Sequence, residues 1–360
     1  MSKGAPPTLG DRIQDFMIRA MEGAVRLLPE PWVVALGGAL GGVAGGVLRL
    51  RRRVVEENLT RAFPERDAAW IRKTAGASYR HLGKEAVALL RMGALGPRQV
   101  WERTEVDGIH HLREPLARGQ GVILLTGHLG NWEVGGASLA VREIPLDVVA
   151  RRQNNPLFNA RLNRTREALG MRVVDRSGST KTLLRALRSG RAVALVADQN
   201  VLTGGVFVDF FGVPAATARG PALLAQRAGA AVVFATALRL PGLRSRYHVA
   251  LRPLDPPPPG LEAEAATRDL LRRYLSALEE AIGQAPAQYL WAHKRWKTRP
   301  EAAELPREEA ELPPEAAQLP PDAAELPPGD AVPVVRTTAE TNDASRTGPA
   351  PDPHDEGEHP

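Results

Sequence analysis

The 360-residue sequence contains no cysteine. Disulfides, thiolate metal sites and cysteine nucleophiles are therefore excluded. The eight histidines do not suggest a metal site either, since His110, His111, His248 and His293 fall in no cluster with carboxylates at ligand spacing. No zinc finger, helix-turn-helix or platform of interleaved aromatic and basic residues is present. We therefore expect no metal, no cofactor and no nucleic-acid partner.

The sequence also lacks a long apolar run. The uncharged stretch from Trp32 to Leu48 is shorter than the roughly 20 residues that span a bilayer, and nothing in it resembles a cleavable signal. Its glycines come in pairs at 37/38, 41/42 and 45/46, which suits close helix packing. The arginines that follow (Arg49, Arg51, Arg52 and Arg53) would face the cytoplasm. This stretch predicts a tilted or re-entrant membrane helix or a buried helix, and we favour membrane association over a span.

The segment before this stretch has the pattern of an amphipathic helix. Apolar residues recur at helical spacing, whereas Arg12, Arg19 and Arg26 lie on another side. The apolar residues are Ile13, Phe16, Met17, Ala20, Met21, Ala24, Val25 and Leu28. Such a helix packs on the protein core or lies on a membrane surface, and the pattern favours neither. We predict that residues 1–53 form a membrane-associated region.

The C-terminal segment 300–360 differs in composition from the rest. A seven-residue repeat places Leu-Pro at 305, 312, 319 and 326, and a proline in every repeat excludes a coiled coil. We predict a disordered tail. Residues 301–360 hold 15 acidic and 3 basic residues, so residues 1–300 carry 44 basic and 26 acidic residues, a net charge of +18. The net positive charge of residues 1–300 favours an anionic partner.

Residues 54–299 predict an α/β domain with a mostly parallel central sheet flanked by helices. Short apolar runs alternate with amphipathic segments such as 156–169 and 179–189. The apolar runs are 122–125, 146–150, 192–197 and 231–237. Ligands of such sheets bind beyond the carboxyl ends of the strands. The polar stretches TGHLGNWE and ADQN both follow such runs, which indicates an active site there.

The stretch GHLGNWE holds one histidine and one carboxylate that can act together. Asn131 is a plausible N-cap, which places Glu133 in the first turn of a helix and His128 in the loop before it. A carboxylate bonded to one ring nitrogen fixes the tautomer and makes the other nitrogen a better base. No nucleophilic residue stands nearby in a recognisable motif. The pair therefore predicts a base that activates a substrate hydroxyl directly, although a histidine that only satisfies hydrogen bonds is the plain alternative.

HLGNWE resembles the H-x4-D/E signature of the glycerolipid and lipid A acyltransferase superfamily. Four more segments resemble blocks of the same family in the same order. These are RRQNNPLFNARLNRTREALG (151–170), ALVADQN (194–200), VFVDFFGVPAATARGPALLA (206–225) and QYLWAHKRWKTRP (288–300). By these five blocks, the chain is identified as a member of the bacterial lipid A biosynthesis acyltransferases, which add lauroyl or myristoyl chains.

The resemblance implies a role for several residues. His128 would be the general base and Glu133 its orienting carboxylate. Asp198 and Gln199 would organise the site, and Asn200 stands where some relatives have an acid. The other implied substrate-binding residues are Arg151, Asn155, Arg164, Arg166, Thr217 and Gly220. Residues of the last block (Tyr289, Trp291, His293, Arg295 and Trp296) would be core or interfacial.

The resemblance also implies partners whose negative charge complements the positive charge of residues 1–300. The acyl donor would be a thioester of acyl carrier protein, which is acidic, or of coenzyme A. The acceptor would be a phosphorylated glycolipid, and the protein would act at the cytoplasmic face of the cell inner membrane, on its anionic surface.

Three other functions stay open. The first is an acyltransferase for another glycolipid or a lysophospholipid, such as a phosphatidylinositol mannoside, an ornithine lipid or lysophosphatidate. The lysophosphatidate enzymes usually carry a Glu-Gly-Thr-Arg type block, which is missing here. The second is a non-catalytic basic protein of membrane surfaces or nucleic acids. The third is a degenerate acyltransferase that binds lipid without turnover.

Overall fold

The computed structural model describes residues 6–176 and 180–300. Its helices are α1 (Leu9–Leu27), α2 (Glu30–Gly46), α3 (Arg52–Ala62), α4 (Ala68–Met92), α5 (Pro97–Glu102), α6 (His110–Ala117), α7 (Trp132–Ala140), α8 (Pro156–Ala168), α9 (Thr180–Arg188), α10 (Gly220–Ala228) and α11 (Ala263–Gln284). The strands are β1 (Thr104–Asp107), β2 (Val122–Thr126), β3 (Leu146–Ala150), β4 (Arg172–Asp175), β5 (Ala192–Val196), β6 (Gly205–Phe210), β7 (Val213–Ala218), β8 (Ala231–Arg239) and β9 (Tyr247–Leu254). A short 3₁₀ turn follows at Pro286–Gln288. The predicted tail, apart from residue 300, lies outside the described residues.

Seven strands form one sheet in the order β1-β9-β8-β2-β5-β3-β4. β8, β2, β5, β3 and β4 run parallel to one another, whereas β9 returns antiparallel to β8 and pairs in parallel with β1. A separate hairpin joins β6 and β7. The prediction of an α/β fold with a mostly parallel central sheet is confirmed.

The central strand β2 is covered on both faces, which explains why its sequence VILLT is apolar throughout. Ile123 and Leu125 point into a core shared with α3, α4, α9, α10 and α11. Val122 and Leu124 point into a second core shared with α5, α6 and α7. The strand that precedes His128 is therefore held rigidly between two packed layers.

Helix α2 packs on α4 through glycine. A side chain at Gly41 would overlap the backbone oxygen of Tyr79, and one at Gly83 would overlap the backbone oxygen of Gly37. One glycine of each pair (Gly37, Gly41 and Gly45) thus serves close helix packing, as the spacing suggested. The opposite side of α2 exposes Trp32, Leu36, Leu40 and Val43. Across the described ranges, no helix is both long and apolar enough to cross a membrane.

Helix α1 confirms the predicted helix and shows which of its sides packs. A capping box at Thr8 begins it, with Asp11 as the reciprocal partner. The buried carboxylate of Asp15 pairs with Arg161 of α8 at 2.9 Å, whereas six large apolar side chains are exposed: Leu9, Ile13, Phe16, Met17, Met21 and Leu27. Polar groups of α1 therefore contact the protein, and much of its apolar side faces outward.

Candidate active site

The site lies at the carboxyl ends of two adjacent strands. β2 and β5 run in parallel with Thr126 opposite Val196, so both chains leave the sheet at the same edge. His128 follows two residues after β2, and Asp198 follows two residues after β5. The sheet thereby brings together two side chains that are 70 positions apart in the sequence.

Asp198 holds His128 by two hydrogen bonds. One of its oxygens lies 2.6 Å from Nδ1 of the ring, and the other accepts the backbone N–H of His128 at 2.9 Å. Burial alone would raise the pKa of Asp198, but the charge and hydrogen bonds of His128 outweigh burial and leave that pKa lowered. An ionised Asp198 accepts a hydrogen bond from Nδ1–H, so the proton stays on Nδ1 and the lone pair of the ring is on Nε2.

Two neighbours define the space around Nε2. The side-chain nitrogen of Gln199 lies 3.2 Å from Nε2, and the Trp132 ring meets the imidazole edge to face at 4.7 Å between centroids. The His128 side chain is 17% exposed, so its basic nitrogen is shielded but can be reached. A substrate hydroxyl that displaced the Gln199 amide would meet a nitrogen ready to accept its proton.

The contact that the sequence predicts between Glu133 and His128 is not formed in the structure. Both of its oxygens accept hydrogen bonds from Arg166 of α8, at 2.9 Å from Nε and 2.5 Å from Nη2. Asn131 caps α7 by accepting the N–H of Val134 at 2.9 Å, and the first turn of α7 directs Glu133 toward α8. The carboxylate on the ring comes instead from the adjacent strand β5, whose carboxyl end lies beside that of β2.

The turn between His128 and α7 is fixed by close backbone contacts. Gly130 has φ 64°, a left-handed conformation that glycine adopts without strain. Its N–H donates to the carbonyl of Gln288, and the N–H of Asn131 donates to the carbonyl of Ala237. A side chain at Gly130 would overlap that same Ala237 oxygen. Glycine is therefore required here by conformation and by space.

A buried polar network behind the turn was not foreseen from the sequence. Glu85 of α4 accepts a hydrogen bond from the Asn131 amide at 2.6 Å, from the Tyr247 hydroxyl at 2.8 Å and from Arg239 at 2.9 Å. Arg239 also donates to the Tyr247 hydroxyl at 2.9 Å. The network fixes the Asn131 amide, and hence the start of α7. Glu85 stands in a helical stretch without a motif, so sequence offered no signal for it.

The other predicted site residues have varied surroundings. Arg151 and Arg164 are exposed. Asn155 is buried, caps α8 through Leu157 N–H and donates to Gln14 of α1 at 2.9 Å, so its polar groups are used within the protein. Whether these residues contact substrate stays a prediction.

Three further residues of the predicted site make contacts within the protein: Thr217, Gly220 and Asn200. The hydroxyl of Thr217 accepts a 2.6 Å hydrogen bond from the buried Arg295, and Gly220 begins α10. The backbone N–H of Asn200 donates to Nε2 of His293 at 3.0 Å. This last contact ties the C-terminal segment to the loop that carries Asp198 and Gln199. In the described part of the chain, no group of three or more His, Asp or Glu side chains is arranged to hold a metal.

The fold and this geometry define an α/β enzyme in which a histidine at a strand end is held by a buried carboxylate. A family model described as bacterial lipid A biosynthesis acyltransferase matches residues 10–298. The chain belongs to this family and is an acyltransferase.

Three relatives place the chain within the family. It is 30% identical over 276 residues to the lipid A biosynthesis lauroyltransferase of Escherichia coli, covering 76% of this chain and 88% of that protein. It is 26% identical over 285 residues to the lipid A biosynthesis myristoyltransferase of Escherichia coli, covering 78% and 86%. It is 32% identical over 234 residues to a phosphatidylinositol mannoside acyltransferase of Mycolicibacterium smegmatis, covering 62% and 74%.

Proposed function

We propose that this protein transfers a fatty acyl chain from an acyl thioester to a hydroxyl group of a lipid A precursor. The observation that carries the proposal is the pairing of His128 Nδ1 with Asp198 at 2.6 Å, which frees Nε2 to act as the base. The names of the Escherichia coli relatives support lipid A as the acceptor.

The reaction proceeds without an enzyme nucleophile. Nε2 of His128 takes the proton of the acceptor hydroxyl as its oxygen attacks the thioester carbonyl carbon. The tetrahedral intermediate then collapses, the carbon–sulfur bond breaks, and the imidazolium returns the proton to the departing sulfur. Asp198 stabilises the imidazolium through its hydrogen bond to Nδ1 and stays ionised throughout.

Glu133 and Arg166 have a supporting role in this mechanism. Their two hydrogen bonds join α7 to α8, and Arg166 is buried with its charge paired. The pair fixes the wall of the site beside His128. The exposed Arg151 and Arg164 are the better candidates for the phosphates of the acceptor, because their guanidinium groups are not paired with a carboxylate among the described ion pairs.

A second acceptor class is supported by one observation. The phosphatidylinositol mannoside acyltransferase is 32% identical over 234 residues, and its named acceptor is also a phosphorylated glycolipid. The same base and the same arginines suit either acceptor, because the chemistry at the hydroxyl is identical.

We place the reaction at the cytoplasmic face of the inner membrane. The exposed apolar side chains of α1 and α2 suit insertion into the boundary between headgroups and acyl chains. Phe16 and Met17 are 71% and 59% exposed. Replacing both by serine should reduce co-sedimentation with vesicles of phosphatidylethanolamine and phosphatidylglycerol and leave the melting temperature unchanged. Serine at Leu202 and Leu243, which are 62% and 56% exposed, is the matched control and should leave vesicle binding intact.

Acyl transfer itself is tested with lauroyl- or myristoyl-loaded acyl carrier protein. The acceptors are a lipid A precursor, a phosphatidylinositol mannoside and a lysophospholipid, each offered separately. Transfer to the lipid A precursor, lost in His128→Ala, supports the proposal. Transfer only to another acceptor would support the same mechanism with a different class of acceptor. Turnover that survives His128→Ala would overturn the assignment of His128 as the base.

A further inference from the structure

Beyond the reacting residues, the described chain carries an open groove rich in arginine. It has a volume of about 1020 Å³ and lies between α3 and the start of α4. We call it the arginine groove and define it by Arg49, Arg52, Arg53, Arg61 and Arg72. Glu56 and Glu57 also line it, so the groove has an excess of three positive charges.

Two kinds of arginine line the groove. Arg52 pairs with Glu56 at 2.8 Å and Arg53 pairs with Glu57 at 2.6 Å, each along one face of α3. Arg49, Arg61 and Arg72 are exposed and have no carboxylate partner among the ion pairs of residues 6–176 and 180–300, and the guanidinium group of Arg61 lies over the Trp296 ring. Arg52 and Arg53 are held in place, and Arg49 and Arg72 are free to meet an anion.

The chain tolerates unfavourable local structure to present these charges. Arg49 has φ 51° and Arg51, two residues further on, has φ 53°, a left-handed conformation that disfavours a residue with a side chain by about 1–2 kcal/mol. Arg52 and Arg53 stand in the first turn of α3, where the helix dipole disfavours cations. Strain of this kind often accompanies function rather than folding.

Hydrogen bonds connect helix α3, which lines the arginine groove, to the loop beside the active site. Asn58, on the inner side of α3, donates to the carbonyls of Trp291 at 2.8 Å and His293 at 2.7 Å. His293 in turn accepts the N–H of Asn200, the neighbour of Gln199. The C-terminal segment therefore contacts both α3 and the residues around His128, whose carbonyl accepts the N–H of Leu290.

We infer that the arginine groove is the docking surface for the acidic carrier protein that delivers the acyl thioester. This inference rests on the proposed function. A convex acidic helix fits a concave basic groove, whereas the flat surface of a bilayer does not fill it. Leu48 and Leu50 are exposed beside Arg49, and they offer apolar contact at the rim. A carrier bound there lies next to the segment that borders the base, so its flexible prosthetic arm can bring the thioester to His128.

The test compares two donors that differ only in the carrier. One is acyl carrier protein loaded with a lauroyl chain, and the other is lauroyl-pantetheine, which lacks the protein. The double variant Arg49→Glu and Arg72→Glu reverses two groove charges that have no carboxylate or aromatic partner, without touching the catalytic residues. The control variant Arg185→Glu and Arg188→Glu makes the same charge change on α9, before β5 begins, at the other edge of the sheet.

We expect the groove variant to raise KM for the carrier-protein donor on the order of tenfold, with kcat nearly unchanged. Turnover of lauroyl-pantetheine should not change, and the control variant should behave as the parent with both donors. An unchanged KM for the carrier-protein donor overturns the inference. An equal loss with both donors, together with weaker binding to phosphatidylglycerol vesicles, assigns the groove to lipid headgroups instead and also overturns it.

A direct binding measurement tests the docking surface without depending on turnover. Calorimetric titration of the carrier protein into the parent and the groove variant measures docking even if no acceptor is acylated. Binding lost only in the groove variant supports the docking surface although the proposed reaction fails. No binding to the parent overturns the docking surface, whatever the reaction proves to be.

Discussion

The edge of the sheet and the N-terminal helices use polar residues in opposite ways. At the sheet edge, Asp198 is hydrogen-bonded to His128 and Glu133 is hydrogen-bonded to Arg166, and both pairs lie within a closely packed wall. In α1, the polar side contacts the protein through Asp15, while Phe16 and Met17 face outward. One region encloses its charged groups, and the other presents apolar surface. The comparison shows that amphipathic periodicity identifies a helix without saying which side is packed.

The largest effect should come from His128→Ala. Loss of the base should reduce kcat about 10⁴-fold, because the acceptor hydroxyl then has no partner for its proton. The measurement is single-turnover acyl transfer at saturating donor. A variant that retains more than a tenth of the parent rate would show that the sheet edge does not hold the base.

Replacing the two carboxylates separates their roles. Asp198→Asn should lower kcat on the order of 10³-fold, because an amide can hold the wrong tautomer of His128. Glu133→Gln should lower kcat less, about 10²-fold or below, and should destabilise the fold because Arg166 is left buried without its ion pair.

The two variants are compared by kcat and by urea unfolding. Asp198→Asn is expected to have the larger effect on kcat and Glu133→Gln the larger effect on stability. The reverse order would return the orienting role to Glu133.

A smaller effect is expected where α2 meets α4. Gly41→Ala should lower the free energy of unfolding by about 1–3 kcal/mol, because the new methyl group would overlap the Tyr79 carbonyl. Gly46→Ala, where a side chain would meet nothing within 4 Å, is the control and should be close to neutral. Equal stability of the two variants in urea would mean that α2 is not closely packed on α4.

The smallest effect tests the outward side of α1. Gly23 lies inside this helix, and a side chain there would meet nothing within 4 Å. Gly23→Ala should therefore raise the free energy of unfolding by about 0.5–1 kcal/mol through helix propensity alone. A loss of stability in thermal or urea unfolding would indicate that this side of α1 is packed against the protein.

Several features could be predicted because they depend on residues close together in sequence. The periodicity of α1 and the apolar runs of β2 and β5 follow from local patterns, as does the cap at Asn131. Polar residues after a strand also indicated the edge of the sheet where the site lies. The residues that engage one another across the site could not be predicted in this way.

The sequence by itself determined that this chain forms an α/β domain with a histidine at the end of a buried strand, and its ordered motifs determined the family. Only the tertiary structure decided that Asp198 holds this histidine, that Arg166 binds Glu133 and that Glu85 fixes the turn. Local pattern sets helices, strands and caps, because these depend on neighbours within a few residues. Strand order sets which distant side chains meet, since the parallel pairing of β2 with β5 brings Asp198 to His128.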